Sequence, residues 1–375
     1  MTITAGRFTA LDVFRGMTIC FMIIVNTPGN GATTFSPMLH AKWDGFTPTD
    51  LVFPSFLFAV GNAISFVMPK WNTLTQSQVL WKIFKRTSII FLLGYLMYWF
   101  PFMQRDAAGN IVSFPFYSTR VFGVLQRIAL CYGIASLLIY YCKPKTTVLL
   151  SVVFLFAYWL LLYVLGDATN PLSLQGNAVL RIDKWLLGEN HLYHGEGLAF
   201  DPEGLLSTLP AIANVIAGYI AGRYIQQKGK TYEGLTVLLL SGAALIFLAY
   251  CWNLHFPINK KLWTSSFVIY TVGLDCIIIA AIIYIIDFRH KTGWTYFFEV
   301  FGRNPLFIYL LSELAAILLY FFNTDSKTSV FQWLYKNIFS HAGSYLGSFL
   351  FALFFMMLCW LVGYFLDKRK IYIRV

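Results

Sequence analysis

Residues 147–165 read TVLLSVVFLFAYWLLLYVL, a stretch with no charged residue, no Gly and no Pro. A bilayer hydrocarbon core of about 30 Å asks for about 20 such residues in one helix. In a soluble protein a run this apolar on every face would have to lie at the centre of a large core. Lys143 and Lys145 stand just before it and Asp167 just after it, as expected where a helix leaves the membrane.

Outward from this stretch, nine further apolar runs occur, at about 9–29, 49–68, 84–102, 120–142, 205–225, 235–253, 263–287, 298–322 and 345–366. With 147–165 they predict an all-α polytopic membrane protein, one domain over 1–375, with about ten transmembrane helices. Composition agrees: 58% of the 375 residues are hydrophobic and 12% charged, against about 45–50% and about 25% in soluble domains. So few charges cannot coat a water-soluble surface, which excludes a soluble enzyme, a disordered chain and a small secreted scaffold. The six cysteines (Cys20, Cys131, Cys142, Cys251, Cys276 and Cys359) form no CxxC, and neither a metal site nor a disulfide framework is expected. The first run lacks a small-residue cleavage pattern and is expected to stay as the first span.

The net charge of +11 follows membrane topology better than nucleic-acid binding, and no nucleic-acid partner is expected. With the N-terminus inside, the inner set of basic residues is Arg7, Arg15, Lys70, Lys82, Lys85, Arg86, Lys143, Lys145, Arg223, Lys228, Lys230, Arg289, Lys291, Lys368, Arg369, Lys370 and Arg374. The outer set is about half as large: Lys42, Arg105, Arg120, Arg181, Lys184, Lys260, Lys261, Lys327 and Lys336. This asymmetry predicts cytoplasmic termini. The long outer segments are then about 30–48, 103–118, 166–204 and 323–344. The third holds Trp185, His191, Tyr193, His194 and Phe200 and is expected to fold over the outer mouth of the bundle.

Polar groups kept in or beside a span are candidates for function, since each is costly unless partnered. Asp12 and Arg15, three apart, read equally as an ion pair at the inner boundary and as a pair whose Arg15 meets an anionic cytosolic ligand. Asn26 closes the first run before Thr27-Pro28-Gly29, a helix stop. His40 precedes Trp43-Asp44-Gly45, and a new span starts at Asp50. The hairpin brings Asn26, His40 and Asp50 to one outer mouth, and histidine, with an unperturbed pKa of about 6.5, suits general-base work. Asp50 reads either as the group that orients His40 or as the N-terminal cap of the second span.

Arg7-x4-Asp12-x-Phe14-Arg15-Gly16, then Val25-Asn26, then His40-Ala41-x-Trp43-x-Gly45-x-Thr47-x2-Asp50-Leu51-Val52-Phe53-Pro54 closely resembles the heparan-α-glucosaminide N-acetyltransferase family of transmembrane acetyltransferases. The resemblance continues in Gly123-Val124-Leu125-Gln126-Arg127, Ile182-Asp183, Leu186-Leu187-Gly188, His191-Leu192-Tyr193, Asp201-Pro202-Glu203-Gly204 and Pro257-x-Asn259-Lys260-x-Leu262-Trp263. It implies that acetyl-CoA is taken from the cytosol and its acetyl group passed to the amine of a glucosamine-type sugar on the far side. His40 then matches the catalytic histidine and Asn26 the asparagine beside it. The Asn26-to-His40 stretch is a few residues longer than in the family's lysosomal enzyme, and Ser312-Glu313 stands where that enzyme has His-Glu. A short bacterial-type member is implied, embedded in lipid in the cytoplasmic membrane with a periplasmic active-site mouth, and the family pattern suggests a homodimer.

A sugar ammonium must lose a proton before it attacks a thioester; a neutral His40 can take it while the Asn26 amide steadies the developing oxyanion. His40 as an acetyl-carrying relay is the other route. Donor phosphates need basic partners, for which Arg15, Arg86, Gln126, Arg127, Arg303 and Asn304 are the candidates. Arg303-Asn304-Pro305 also predicts a broken helix. Asp275, Glu299 and Glu313 are read as partners for the intramembrane arginines as readily as for a ligand. On the outer side Trp43, Asp183, His191, Glu203 and Lys260 are candidates for the acceptor, an amino sugar or glycan. The rival readings are an amino-sugar transporter or permease lined by the same residues, and an acyltransferase acting on a cell-wall or other glycan.

Overall fold

The computed structural model describes residues 8–106, 109–324 and 328–373; Arg7, Lys327 and Arg374 lie outside them. Every apolar run is helical. In chain order the long helices are α1 (Thr9–Asn26), α2 (Pro48–Trp71), α3 (Gln76–Trp99), α4 (Val124–Tyr141) and α5 (Pro144–Leu165). After a short α6 (Ala178–Leu187) come α7 (Thr208–Lys228), α8 (Tyr232–Asn253), α9 (Ser265–Ile283), α10 (Thr295–Arg303) and α11 (Pro305–Phe321). A one-turn α12 (Val330–Leu334) precedes α13 (Ser344–Lys368). A hairpin of β1 (Met103–Arg105) and β2 (Ile111–Ser113) pairs antiparallel in the loop after α3.

Among the described residues seven helices are long and apolar enough to cross a membrane, and α10 with α11 makes an eighth, bent by 82° at Asn304. The expectation of about ten spans therefore divides. α3 carries Lys82, Lys85 and Arg86, and α7 carries Asn214, Arg223 and a Gln-Gln-Lys end, so both are too polar by that measure. Both nevertheless run the length of the bundle, because their ends join the same two loop layers as their neighbours. Gln76 at the start of α3 bonds Tyr141 at the end of α4, at 2.7 Å, while Trp99 at its far end donates to Phe114 O. α7 begins beside the Arg127 contacts of the loop that precedes it and ends near the Lys230–Asp287 pair.

Burial sorts the helices. α2 is enclosed by α1, α4, α7 and α9, whereas α5, α8 and α13 leave apolar faces such as Leu149, Phe156, Leu160, Leu240, Phe247 and Phe365 exposed, the faces expected against lipid. Glycines set the closest crossings. A Cβ on Gly61 would stand 1.9 Å from Val215 O and one on Gly218 2.0 Å from Phe58 O, so α2 and α7 touch backbone to backbone. Gly16 and Gly302 do the same for α1 and α10.

At the end where α1, α3, α5 and α8 finish, the loops build a lid with its own core of Tyr158, Leu162, Val179, Phe200, Phe256 and Leu262. The segment 166–204 lies there: Trp43 Nε1 donates to Leu172 O at 3.0 Å, and the Val121 N–H to His191 O at 3.1 Å. The other end carries the break at Asn304 and the junctions α2–α3, α4–α5, α7–α8 and α9–α10.

Candidate active site

The loop after α1 folds onto the first turn of α2, where Asp50 is fully buried. Asp50 Oδ2 accepts the Thr47 N–H at 2.9 Å and the Ala41 N–H at 3.1 Å. Its other oxygen, Oδ1, lies 2.8 Å from His40 Nδ1. With Nδ1–H donated to this carboxylate, Nε2 of the half-exposed ring keeps its lone pair for a proton. Lys260, from the loop between α8 and α9, lies 2.9 Å from His40 Nδ1, 3.3 Å from Nε2 and 3.7 Å from Asp50 Oδ1. Burial pushes the Lys260 ammonium below its usual pKa, against the opposing charges of Asp50 and Glu203. Asn259 beside it donates to Asp44 at 3.1 Å, and Gly45 N–H to Ile258 O at 2.8 Å, so the two loops are pinned together.

Asn26 ends α1 in the same layer, yet among the described residues no hydrogen bond joins it to His40. Its Nδ2 donates to Glu313 Oε1 at 3.1 Å, across to α11. Tyr98 and Tyr309 lie in the field of Glu313 and also in those of Arg120 and Glu203, and Glu203 acts in turn on Lys260. The Asn26–Glu313 and His40–Asp50–Lys260 groups thus border one polar ring at the lid end. Arg120 anchors that ring. It donates to both oxygens of Asp201 at 2.7 and 2.9 Å and to Glu203 at 2.6 Å, between the rings of Tyr98 and Tyr193. Burial opposes the charge of Glu203, but Arg120, Arg127 and Lys260 together outweigh it and hold this carboxyl below its ordinary value.

At mid-depth, a cavity of about 80 Å³ is lined by Arg15, Arg86, Tyr132 and Pro305 with apolar residues of α2 and α4. Phe56 to Ala63, its wall on α2, lie about 9–20 Å below Asp50 at 1.5 Å per residue. Arg15 donates to Asp12 at 2.7 Å and to Gly302 O at 2.9 Å, so the Asp12–Arg15 ion pair exists and also clips α1 to α10. Arg86 lies over the Tyr132 ring at 4.8 Å; its buried Nε has no partner, and among the described residues it has no carboxylate. An unneutralised guanidinium thus stands against an apolar wall in a space much smaller than a typical ligand pocket. Gln126 is fully buried on α4 beside the cavity-lining Leu125, both amide atoms unpartnered, in space left by Gly94 of α3.

The other three donor-side candidates are engaged elsewhere. Arg127 is fully buried at the lid end and not near the opposite face: it donates to Pro202 O at 2.9 Å, Gly204 O at 3.2 Å and Ser207, with its guanidinium over the Trp263 ring. The loop carbonyls stabilise its charge, which departs from the expected phosphate-binding place. Arg303 is neutralised by Asp367 and Glu299, each at 2.6 Å. Asn304 ties down the C-terminal segment through Ile371 O at 3.0 Å and the Ile373 N–H at 2.8 Å. The predicted break is real, and these bonds close it against the tail.

The acceptor-side candidates also divide. Lys260 and Glu203 face the ring. Trp43 packs 5.9 Å from Phe200 with its N–H spent on Leu172. His191 Nδ1 is 2.7 Å from Thr119 O, joining two loops. Asp183 is fully buried under Gly204, where its Oδ1 accepts the Leu205 N–H at 3.1 Å; burial pushes its carboxyl up to about 7. It braces the lid and does not face the mouth. Glu299 takes an arginine partner as expected. Asp275 and Glu313 do not: Asp275 accepts from Ser55 at 2.5 Å and Glu313 from Asn26. Arg120 escaped sequence reasoning, its only signal being the Asp-Pro-Glu it binds some eighty residues later.

A family model described as "Heparan-alpha-glucosaminide N-acetyltransferase, catalytic" matches residues 7–236. The protein of that name from Mus musculus is 27% identical over 366 residues, covering 83% of this chain and 54% of its own length. That from Homo sapiens is 26% identical over 426 residues, covering 98% of this chain and 60% of its own. The chain therefore spans little more than half the length of these curated relatives. The matched region contains Asn26, His40, Asp50, Arg86, Arg120 and the Asp201–Gly204 turn. The protein belongs to the heparan-alpha-glucosaminide N-acetyltransferase family.

Proposed function

We propose that this protein is a membrane-spanning N-acetyltransferase. In this reading it accepts acetyl-CoA from the cytoplasmic face of a bacterial inner membrane and acetylates the amine of a glucosamine-type sugar at the periplasmic face. The observation that carries it is the His40–Asp50 pair, a half-exposed imidazole aligned by a fully buried carboxylate, within the region matched to the family's catalytic model. Acetyl-CoA, when bound, supplies a thioester carbonyl as electrophile. Arg15 and Arg86 would hold its anionic part. His40 Nε2 takes the proton that the acceptor ammonium must lose before its nitrogen bonds to the acetyl carbon, and Asp50 stabilises the imidazolium that forms. That imidazolium would return the proton to the coenzyme A sulfur as the carbon–sulfur bond breaks. Asn26, with one amide hydrogen spent on Glu313, keeps a second to donate to the developing oxyanion. Glu203 and the polar ring around it offer carboxylate to an incoming ammonium.

Direct transfer from thioester to amine needs one base and no covalent enzyme species, and a single aligned imidazole supports it best. The test uses protein reconstituted in vesicles with labelled acetyl-CoA and glucosamine. N-acetylglucosamine is the expected product, and His40→Ala, folded to the wild-type Tm, should lower kcat by about 10²–10⁴-fold. Undiminished turnover in that variant would remove His40 from the chemistry; label accumulating on wild-type protein without acceptor would favour the relay.

A further inference from the structure

At the end of the bundle away from His40, where α2, α4 and α7 finish and α5 begins, lies a cavity of about 450 Å³. Its polar lining includes Ser65, Asn72, Thr147, Tyr219, Arg223 and Gln226, and among the described residues no carboxylate lines it. It is separate from the Arg15–Arg86 cavity. Ser65, Met68, Pro69 and Asn72 of α2 face this one, and Phe56, Ala59, Val60 and Ala63 the other, opposite sides of a helix turning 100° per residue.

Arg223 is half-buried there. Its Nη1 lies 3.4 Å from the Tyr219 hydroxyl and its guanidinium 5.7 Å from that ring; among the described residues it has no acidic partner. A guanidinium drawn out of water without a counter-charge is costly, and the cavity offers it space instead of a carboxylate. The surrounding field is positive as well, since Lys70, Lys143 and Lys145 adjoin the lining residues Pro69 and Pro144. α5 starts on the rim with no side-chain cap, which adds open N–H groups to the same field. Gln226 is already spent on Ser65 Oγ and Gly222 O, leaving Arg223 as the free charge.

We infer that this cavity binds a phosphate ester, with the Arg223 guanidinium as its anchor. The planar fork matches phosphate oxygens in pairs, and the volume exceeds what a bare inorganic ion fills. Two sources carry that chemistry: the headgroup of an anionic phospholipid, which reaches the helix ends, and the phosphates of coenzyme A. The site stands whether or not acetyl transfer is the activity, so its failure and the failure of that reading are separable.

The experiment measures Tm in phosphatidylcholine nanodiscs, first with increasing phosphatidylglycerol and then with added coenzyme A, for wild type and Arg223→Gln. At least one probe should raise the wild-type Tm saturably, and Arg223→Gln should move its half-saturation up about tenfold or more. A rise with phosphatidylglycerol alone that Arg223→Gln weakens assigns the lipid; a rise with coenzyme A alone that Arg223→Gln weakens assigns the nucleotide. No rise with either, or equal half-saturation in wild type and variant, overturns the inference. Should Arg223→Gln not fold, Asn72→Glu at the exposed mouth sets a carboxylate in the same cavity. It should weaken binding in the same direction, and unchanged binding overturns the inference equally.

Discussion

Asp50 divides its work between its two oxygens. Oδ2 gathers the Thr47 and Ala41 N–H groups and so caps α2, while Oδ1 aligns His40. Capping and orienting, alternatives in the sequence, are both satisfied because a carboxylate has two faces. Asp50→Asn keeps one acceptor and turns the other into a donor, so one task fails. It should lower kcat by about 10²-fold, and a Tm only a few degrees down would place the loss in chemistry. Asp183 yields a pH prediction of opposite sense to the usual carboxylate. Its folded pKa, raised by burial to about 7, exceeds the unfolded value, so the native state holds its proton longer than the unfolded chain. Stability should therefore fall as pH rises from about 4 to 7 and level off above, by roughly 2–4 kcal/mol from this group. Asp183→Asn should flatten that part of the Tm profile; an unchanged slope would refute it. The His40–Asp50 contact was legible because the hairpin sets the two within one short segment. Arg120 and the Asn26–Glu313 bond were not, since their partners are distant in sequence and meet only through helix packing.

The elements show what hydropathy can and cannot say. It located every bundle helix, and Arg303-Asn304-Pro305 located the break, because a proline cannot continue the ladder it follows. It could not grade α3 and α7, whose charges and amides are stabilised by neighbours, nor find α6 and the β1–β2 hairpin inside loops set by turns. The break depends on few bonds. Asn304→Ala loses both hydrogen bonds to the tail and should cost about 1–2 kcal/mol, read as a lower Tm with earlier protease cleavage after Lys368. The α2–α7 crossing is less forgiving. Gly61→Val thrusts branched carbons onto the Val215 carbonyl, and either helix must move. Overpacking of this kind typically costs about 1–3 kcal/mol, and since α2 carries Asp50, kcat should fall with Tm. A Gly61→Val protein with wild-type Tm would mean that the two backbones stand farther apart.

Across the whole molecule, the lid and the opposite face have different chemistries, and the proposed orientation sets them in different compartments. The lid holds the aligned imidazole, the Arg120 cluster and most aromatic loop residues; the other end collects the larger share of lysines and arginines. Positive-inside retention of that end would leave the lid outside, and a donor and acceptor from separate compartments could then meet only along the interior. The arrangement demands that α3 and α7 cross fully. If either stopped short, the loops on its two sides would fall on one face, and Arg120 could not share a layer with Asp201 while Lys228 shares one with Lys70. Single cysteines test this directly in a background with the six native ones replaced. His194→Cys, on the exposed lid, and Lys228→Cys, at the end of α7, should react with a membrane-impermeant maleimide from opposite sides of sealed vesicles. Gln76→Cys, at the start of α3, should follow Lys228→Cys. Labelling of all three from one side would undo both the ten-pass arrangement and the route from cytosolic donor to external amine.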